Sequence, residues 1–298
     1  MTIYHQNTAR KPRDLPVSET ERTARVQLAA CYRIFNHLGW VEMIFNHITL
    51  RVPGPEKLFL INPFGLHYSE ITASSLVLID IDGNPVRESK YPVNRAGFVI
   101  HSAIHAALAE AHCVMHTHTT TGMAVACLKN GLSPTNFYAA QLHDGVAYHE
   151  FEGITVEEGE KSRLVASIGA GGSFKRAVVL RNHGLLAWGP TVQEAYMTLW
   201  TLQRACDVQI ASSAAGPLNP IRDEVFAQTV RESGPGEKRT CDDVFAAMQR
   251  LVDAKDPTYD SAMNYKRSIR KYETDKAWRI VFASHGVSVL RKRLSRDG

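Results

Sequence analysis

Two stretches decide the reading: Cys113-Val-Met-His-Thr-His118 and Ala177-Val-Val-Leu-Arg-Asn-His-Gly184. Each begins as a short apolar run and leads to histidine: His116 and His118 in the first, His183 in the second. Short apolar runs followed by polar residues read as buried strands. Residues two apart on a strand face the same side, so His116 and His118 project together. His183 ends the second strand and precedes a glycine. Three neutral imidazoles with an open position suit a catalytic-type site for Zn²⁺ or another divalent metal.

Outward from these stretches, helices and strands alternate. Ser18 with Glu21 forms a capping box. Ala24, Leu28, Cys31, Phe35 and Leu38 then line one helical face, and Gly39 stops the helix. Met43–Val52 reads as a strand, Leu58–Ile61 as a second and Leu76–Asp80 as a third, closed by the turn pair Asp82-Gly83. Asn94 caps a helix carrying Ile100, Ile104, Ala107, Leu108 and Ala111 on one face. Thr119–Leu128 and Glu157–Ile168 read as helices, Val146–Phe151 and Leu185–Trp188 as strands. Thr191 with Glu194 opens a long helix through Ile210. After residue 214 the pattern weakens. The expected organisation is an arm over 1–16, a main domain over 17–213 and an appendage over 214–298.

The 298 residues are 44% hydrophobic and 21% charged, which excludes global disorder. No apolar stretch is long enough to read as a membrane span, and residues 1–16 lack the apolar core of a signal peptide. A cytoplasmic location is the expectation. The five cysteines form no C-x-x-C pair, so neither a disulfide framework nor a cysteine zinc site is signalled. The net charge of +4 is uneven: residues 264–298 carry ten Lys/Arg against three acids. With no nucleic-acid motif in this tail, it reads as a solvated or packing segment, without a clear nucleic-acid or membrane partner.

Other histidines compete with the three. His101 and His105 stand four apart on one helix and could also pair on a metal; without the acid of a zinc-peptidase motif, they read as side chains packed against the sheet or wet at its edge. His143 and His149 flank a strand, and His47 lies in Phe45-Asn-His-Ile-Thr49. These three are open between packing and pocket-lining roles.

Several segments resemble the class II aldolase/adducin head family: Asn46-His-Ile-Thr-Leu-Arg51, Ile61-Asn-Pro-Phe-Gly65, Glu70-Ile-Thr72, Leu78-Ile-Asp-Ile-Asp-Gly83, Val114-Met-His-Thr-His118 and Arg181-Asn-His-Gly-Leu-Leu186. The resemblance spans residues 17–213. It implies an αβα sandwich around a mostly antiparallel sheet, and homotetramers with sites between subunits. It makes His116, His118 and His183 the ligands of one divalent metal per subunit, zinc first, with iron, manganese or cobalt also accommodated. It also implies substrate contacts from Asn46, Gly65 and Arg95. The family's Ser-Ser-Glu triplet, which binds phosphate and supplies a metal-side acid/base, falls on Arg95-Ala-Gly97. A Gly-Asn pair that helps hold phosphate becomes Phe45-Asn46. The phosphate pocket is therefore rewritten, and the sequence is similar to the adducin-like branch, although all three ligand histidines are kept.

The expected function is a divalent-metal-dependent lyase, cleaving by aldol cleavage or decarboxylation through a stabilised enolate. Its substrate would be a small, non-phosphorylated carboxylate or carbonyl compound. Aldol cleavage needs a proton-handling group, for which Tyr138, His143 and Glu70 are the candidates. Decarboxylation needs no prior deprotonation, and Arg95 suits a substrate carboxylate. Two alternatives stand beside this: a non-haem Fe(II) oxygenase acting on an aryl-2-oxo acid, and an adducin-like binding module without catalysis.

Overall fold

The structure is a computed structural model that describes residues 16–142, 145–153, 158–169, 175–233 and 238–260. Seven strands form one sheet: β1 (Ile48–Arg51), β2 (Phe59–Ile61), β3 (Val77–Ile79), β4 (Cys113–Thr117), β5 (Val146–His149), β6 (Ala177–Leu180) and β7 (Gly184–Gly189). Their order is β3-β2-β1-β4-β7-β6-β5, and every pairing is antiparallel except β5 with β6. The helices are α1 (Glu19–Leu38), α2 (Arg95–Ala107), α3 (Thr120–Cys127), α4 (Phe137–Leu142), α5 (Glu158–Ile168), α6 (Val192–Ala215), α7 (Asp223–Glu232) and α8 (Lys238–Asp253).

Both sheet faces are covered, which is why the central strands read as unbroken apolar runs. Side-chain alternation sorts each strand between two cores. Cys113 and Met115 of β4 and Leu185 and Ala187 of β7 pack with residues of α1, α6 and α8. Val114 of β4 and Leu186 and Trp188 of β7 pack with Ala103 and Ile104 of α2 and Leu164 and Ile168 of α5. The result is the expected αβα sandwich. Among the described residues, no helix is long and apolar enough to cross a membrane.

The expected caps form. Ser18 Oγ accepts from the Glu21 amide, Thr191 Oγ1 from the Glu194 amide, and Asn94 Oδ1 from the Gly97 amide. The stretch Met43–Val52 departs from expectation, because strand begins only at Ile48. Met43 and Asn46 take positive φ (49° and 66°), so the chain bends twice before it pairs. Alternation alone did not reveal those bends. The return after Asp82-Gly83 is a single bridge, Ile79 to Pro85, rather than a strand. α7 and α8 lie where the pattern had weakened. α8 presents a narrow stripe, Cys241, Phe245, Met248 and Val252, between charged residues, and Phe245 and Val252 are buried in the α1/α6 core. All described residues belong to the unit Met1–Asp260; the basic tail lies outside them.

Glu21 shows what fixes the start of α1. Its buried carboxylate accepts from Arg25 Nε at 2.8 Å and from Arg87 Nη2 at 2.7 Å. Arg25 in turn donates to the carbonyls of Ala73 and Leu76. Burial opposes the charge, but the two arginines prevail and hold the carboxyl below its ordinary value of 4.5. Glu21→Ala removes the buried carboxylate that pairs with both guanidinium groups and is expected to cost about 3 kcal/mol in urea unfolding at pH 7. A group whose pKa is depressed by folding contributes stability above its unfolded value and loses it as pH falls through the folded one. The difference between the parent and Glu21→Ala should therefore shrink below pH 4.5.

Candidate metal centre

β4 and β7 pair so that His116 lies opposite Leu186 and Thr117 opposite Leu185. This register brings the end of β4 beside the turn that enters β7. His116 points into the α2/α5 layer, as does Val114 two residues earlier. His118 follows just past the strand end. His183 belongs to a tight turn closed by its own amide donating to Leu180 O at 3.0 Å. Asn182 takes φ 57° there, a conformation that asparagine tolerates better than most residues. Gly184 meets a different demand, for space. A Cβ at that position would fall on the Thr117 carbonyl oxygen, 3.0 Å from His118 Cδ2 and 3.2 Å from His116 Cε1.

The three imidazoles converge. Their ring centroids are 4.6, 4.8 and 4.9 Å apart, and one ring nitrogen from each lies within 4.8 Å of the others. His116 Nδ1 donates to Leu185 O at 2.9 Å, which leaves a lone pair on Nε2, 2.7 Å from His118 Nε2. A backbone carbonyl that fixes a ring in this way is the usual outer support of a metal-bound histidine. Burial lowers the pKa of all three: well below the ordinary value for His116, below it for His118, and to about 4 for His183. The rings are therefore neutral at pH 7, the form that coordinates metal. As a donor set they fit a divalent ion of the zinc type.

A row of polar side chains continues from His116 along the same layer. The His47 ring lies 6.1 Å from that of His116 and 4.0 Å from that of His101. Thr49 Oγ1 bridges His101 Nδ1 at 2.8 Å and His105 Nε2 at 2.7 Å, and His105 Nδ1 reaches Ala111 O at 2.6 Å. Beside His183 a small recess is lined by His149, Glu152, Glu160, Leu180 and Arg181. Glu160 is 5% exposed, its Oε1 is 3.5 Å from His149 Nε2, and its Oε2 has no hydrogen-bond partner.

Other residues singled out in the sequence are placed as follows. Asn46 is buried beside His47, and its Oδ1 lacks a partner. Gly65 is exposed at φ 103°. Arg95 opens α2, and its side chain lies outside the described residues, as does the whole of His143. Glu70 is exposed and accepts from the His67 amide at 2.9 Å, in a 3-10 turn that packs on α1. The Tyr138 ring packs against Phe137 and against Trp200 of α6. Glu70 and Tyr138 thus lie with the α1/α6 layer, whereas His116 points into the α2/α5 layer. Sequence reasoning gave Glu160 no role, because a lone acid in a helix carries no motif. It weighed His101 and His105 as packing side chains or a metal pair and missed their link through Thr49; the alternation of β1, which puts Thr49 on their side of the sheet, was the available signal.

Residues 26–210 match the family model for the Class II Aldolase and Adducin N-terminal domain, and the chain belongs to that family. The structure of an aldolase II superfamily protein from Pseudomonas syringae superposes with a TM-score of 0.77 at 42% identity, covering 82% of this chain and 98% of that one. The L-fuculose 1-phosphate aldolase from Glaciozyma antarctica gives 0.70 at 29% identity, over 84% of this chain and 96% of that one. Alpha-adducin from Mus musculus is 40% identical over 234 residues, 77% of this chain but 31% of adducin's length.

Proposed function

We propose that the chain is a divalent-metal-dependent carbon–carbon lyase. Its substrate is a small, non-phosphorylated carboxylate or carbonyl compound. The observation that carries this reading is the convergence of three neutral imidazoles in the α2/α5 layer, one of them fixed by a backbone carbonyl. His116, His118 and His183 would hold the ion, zinc first, with manganese, iron or cobalt as alternatives. When bound, the ion supplies a Lewis acid for the charge that develops on a carbonyl or carboxylate oxygen as the bond breaks.

The fuculose phosphate relative supports aldolase-type chemistry but not its phosphate. Phe45, 43% exposed with its ring 6.4 Å from that of Phe64, puts an apolar surface next to Asn46. Gly97 brings no carboxylate to the start of α2. Decarboxylation tolerates that loss, since departure of CO₂ itself leaves the electron pair. Arg95 is our candidate for gripping a carboxylate, with Asn46 and Gly65 as further substrate contacts. Tyr138, His143 and Glu70 remain our proton-handling candidates for aldol cleavage. Glu70 and Tyr138 would enter from a neighbouring subunit of a homotetramer, a state we propose with the rest. We place the protein in the cytoplasm.

The test is turnover of a panel of 2-hydroxy acids, 2-oxo acids and hydroxyketones by zinc-, manganese- and iron-loaded protein, followed by carbon-13 NMR. Cleavage by the loaded chain and its absence in His116→Ala is the expected result. Full metal occupancy without cleavage of any panel member contradicts it, and oxygen consumption by the iron form would replace it with oxygenase chemistry. The alpha-adducin likeness favours one second reading, a binding module, which requires no metal at all.

A further inference from the structure

We propose that His47 occupies the space a side chain at position 97 would fill and is a substrate-contacting hydrogen-bond acceptor of this site. The ligand would then carry a hydroxyl beside the oxygens that face the histidine triad. This inference rests on the lyase reading and names a feature of its substrate.

Gly97 lies within the first turn of α2, where nothing in its backbone calls for glycine: its φ is not positive and it sits in a regular helix. Alanine would favour the helix more. Its neighbour supplies the reason. A Cβ at 97 would lie 2.6 Å from His47 Cε1 and 2.9 Å from His47 Nδ1. The imidazole and a side chain at 97 exclude each other, and this chain has the imidazole.

The ring is oriented as an acceptor. Its Nδ1 side faces Gly97, whose backbone hydrogen-bonds the ring, and Nε2 has no partner although His47 is only 4% exposed. The hydrogen bond to the Gly97 backbone favours a proton on that side of the ring, and an imidazole protonated there presents a lone pair at Nε2.

The next ring repeats the pattern, and here the tautomers can be derived. Ala111 O can only accept, so His105 donates from Nδ1 and accepts at Nε2. Thr49 therefore gives its hydroxyl proton to His105 and accepts from His101 Nδ1. This leaves a lone pair on His101 Nε2, which also has no partner at 0% exposure. Two neighbouring buried rings thus both present acceptors, and Asn46 Oδ1 adds a third. Buried acceptors without donors are costly and rare in native proteins. A ligand that brings a donor relieves that cost, and one that brings only acceptors does not. A site built to pair with a hydroxyl rejects analogues that lack it.

The probes are glycolate and methoxyacetate, which share a carboxylate and an adjacent oxygen but differ in the hydroxyl donor. Their binding to metal-loaded protein is measured by calorimetry, with metal content measured on every sample. The parent chain should prefer glycolate by about tenfold or more. His47→Phe, which keeps a flat ring without an acceptor, should bring the two affinities within about twofold, with metal content unchanged. Gly97→Ala should do the same by displacing the ring; its melting temperature shows whether it folds. In nitrogen-15 NMR of the parent, the His47 Nε2 resonance should move on glycolate addition and not on methoxyacetate addition. Equal affinities in the parent, or a preference that survives His47→Phe, overturns the proposal. So does a fully loaded chain that binds neither acid, and that result leaves the triad intact. A parent chain that takes up no metal shows instead that the underlying lyase reading has failed, and the proposal falls with it.

Discussion

His183→Ala is expected to abolish stable metal binding and to lower metal-dependent turnover by on the order of 10³ or more. Loss of an outer-shell partner alone typically costs about 10–100-fold in metal affinity or activity, and a ligand should cost more. Two imidazoles do not complete a site that relies on three. The effect on folding should be small. His183 is half-buried at a turn, and the hydrogen bond that closes the turn, from its amide to Leu180 O, is retained in alanine. Metal analysis and thermal melting of the same preparation separate the two effects. A variant that melts with the parent but holds no metal fits the account; one that keeps a full equivalent of metal contradicts the assignment of His183 as a ligand.

Gly184→Ala is expected to be more damaging to folding than His183→Ala, although it adds one methyl group and removes no functional atom. That methyl would meet the Thr117 carbonyl oxygen on the paired strand and the rings of His118 and His116. The backbone of β4 cannot yield without breaking the ladder in which Thr117 lies opposite Leu185. Overpacking at a rigid position commonly costs about 1–3 kcal/mol. Here the displaced groups include two proposed ligands, so metal affinity should fall by about tenfold or more as well. Urea unfolding of the metal-free protein and metal titration of the folded protein measure the two losses. Parent-like values in both would show that the triad is not packed as tightly against β7 as these distances indicate.

Much of this was legible from the sequence because it depended on short-range rules. The apolar strands that lead to the histidines, the caps at Ser18, Asn94 and Thr191, and the stop at Gly39 all follow from local pattern. The convergence of His116, His118 and His183 was expected from strand ends and from the family resemblance, and the register of β4 on β7 produces it. What escaped detection depended on long-range packing. The positive φ of Met43 and Asn46, which bends the chain before β1, leaves no trace in an alternation pattern. The relay from His101 through Thr49 to His105 joins residues about fifty positions apart. The meaning of Gly97 changed most: in sequence it is a missing carboxylate, and in space it is the gap that His47 fills. α8 was obscured because its apolar stripe is narrow and its remaining positions are charged.

The most direct test of the central claim is the metal stoichiometry of the parent chain, measured by mass spectrometry after anaerobic reconstitution and removal of loosely bound ions. The account predicts about one divalent ion per chain, lost in His116→Ala. A parent chain that retains no ion under those conditions would contradict it.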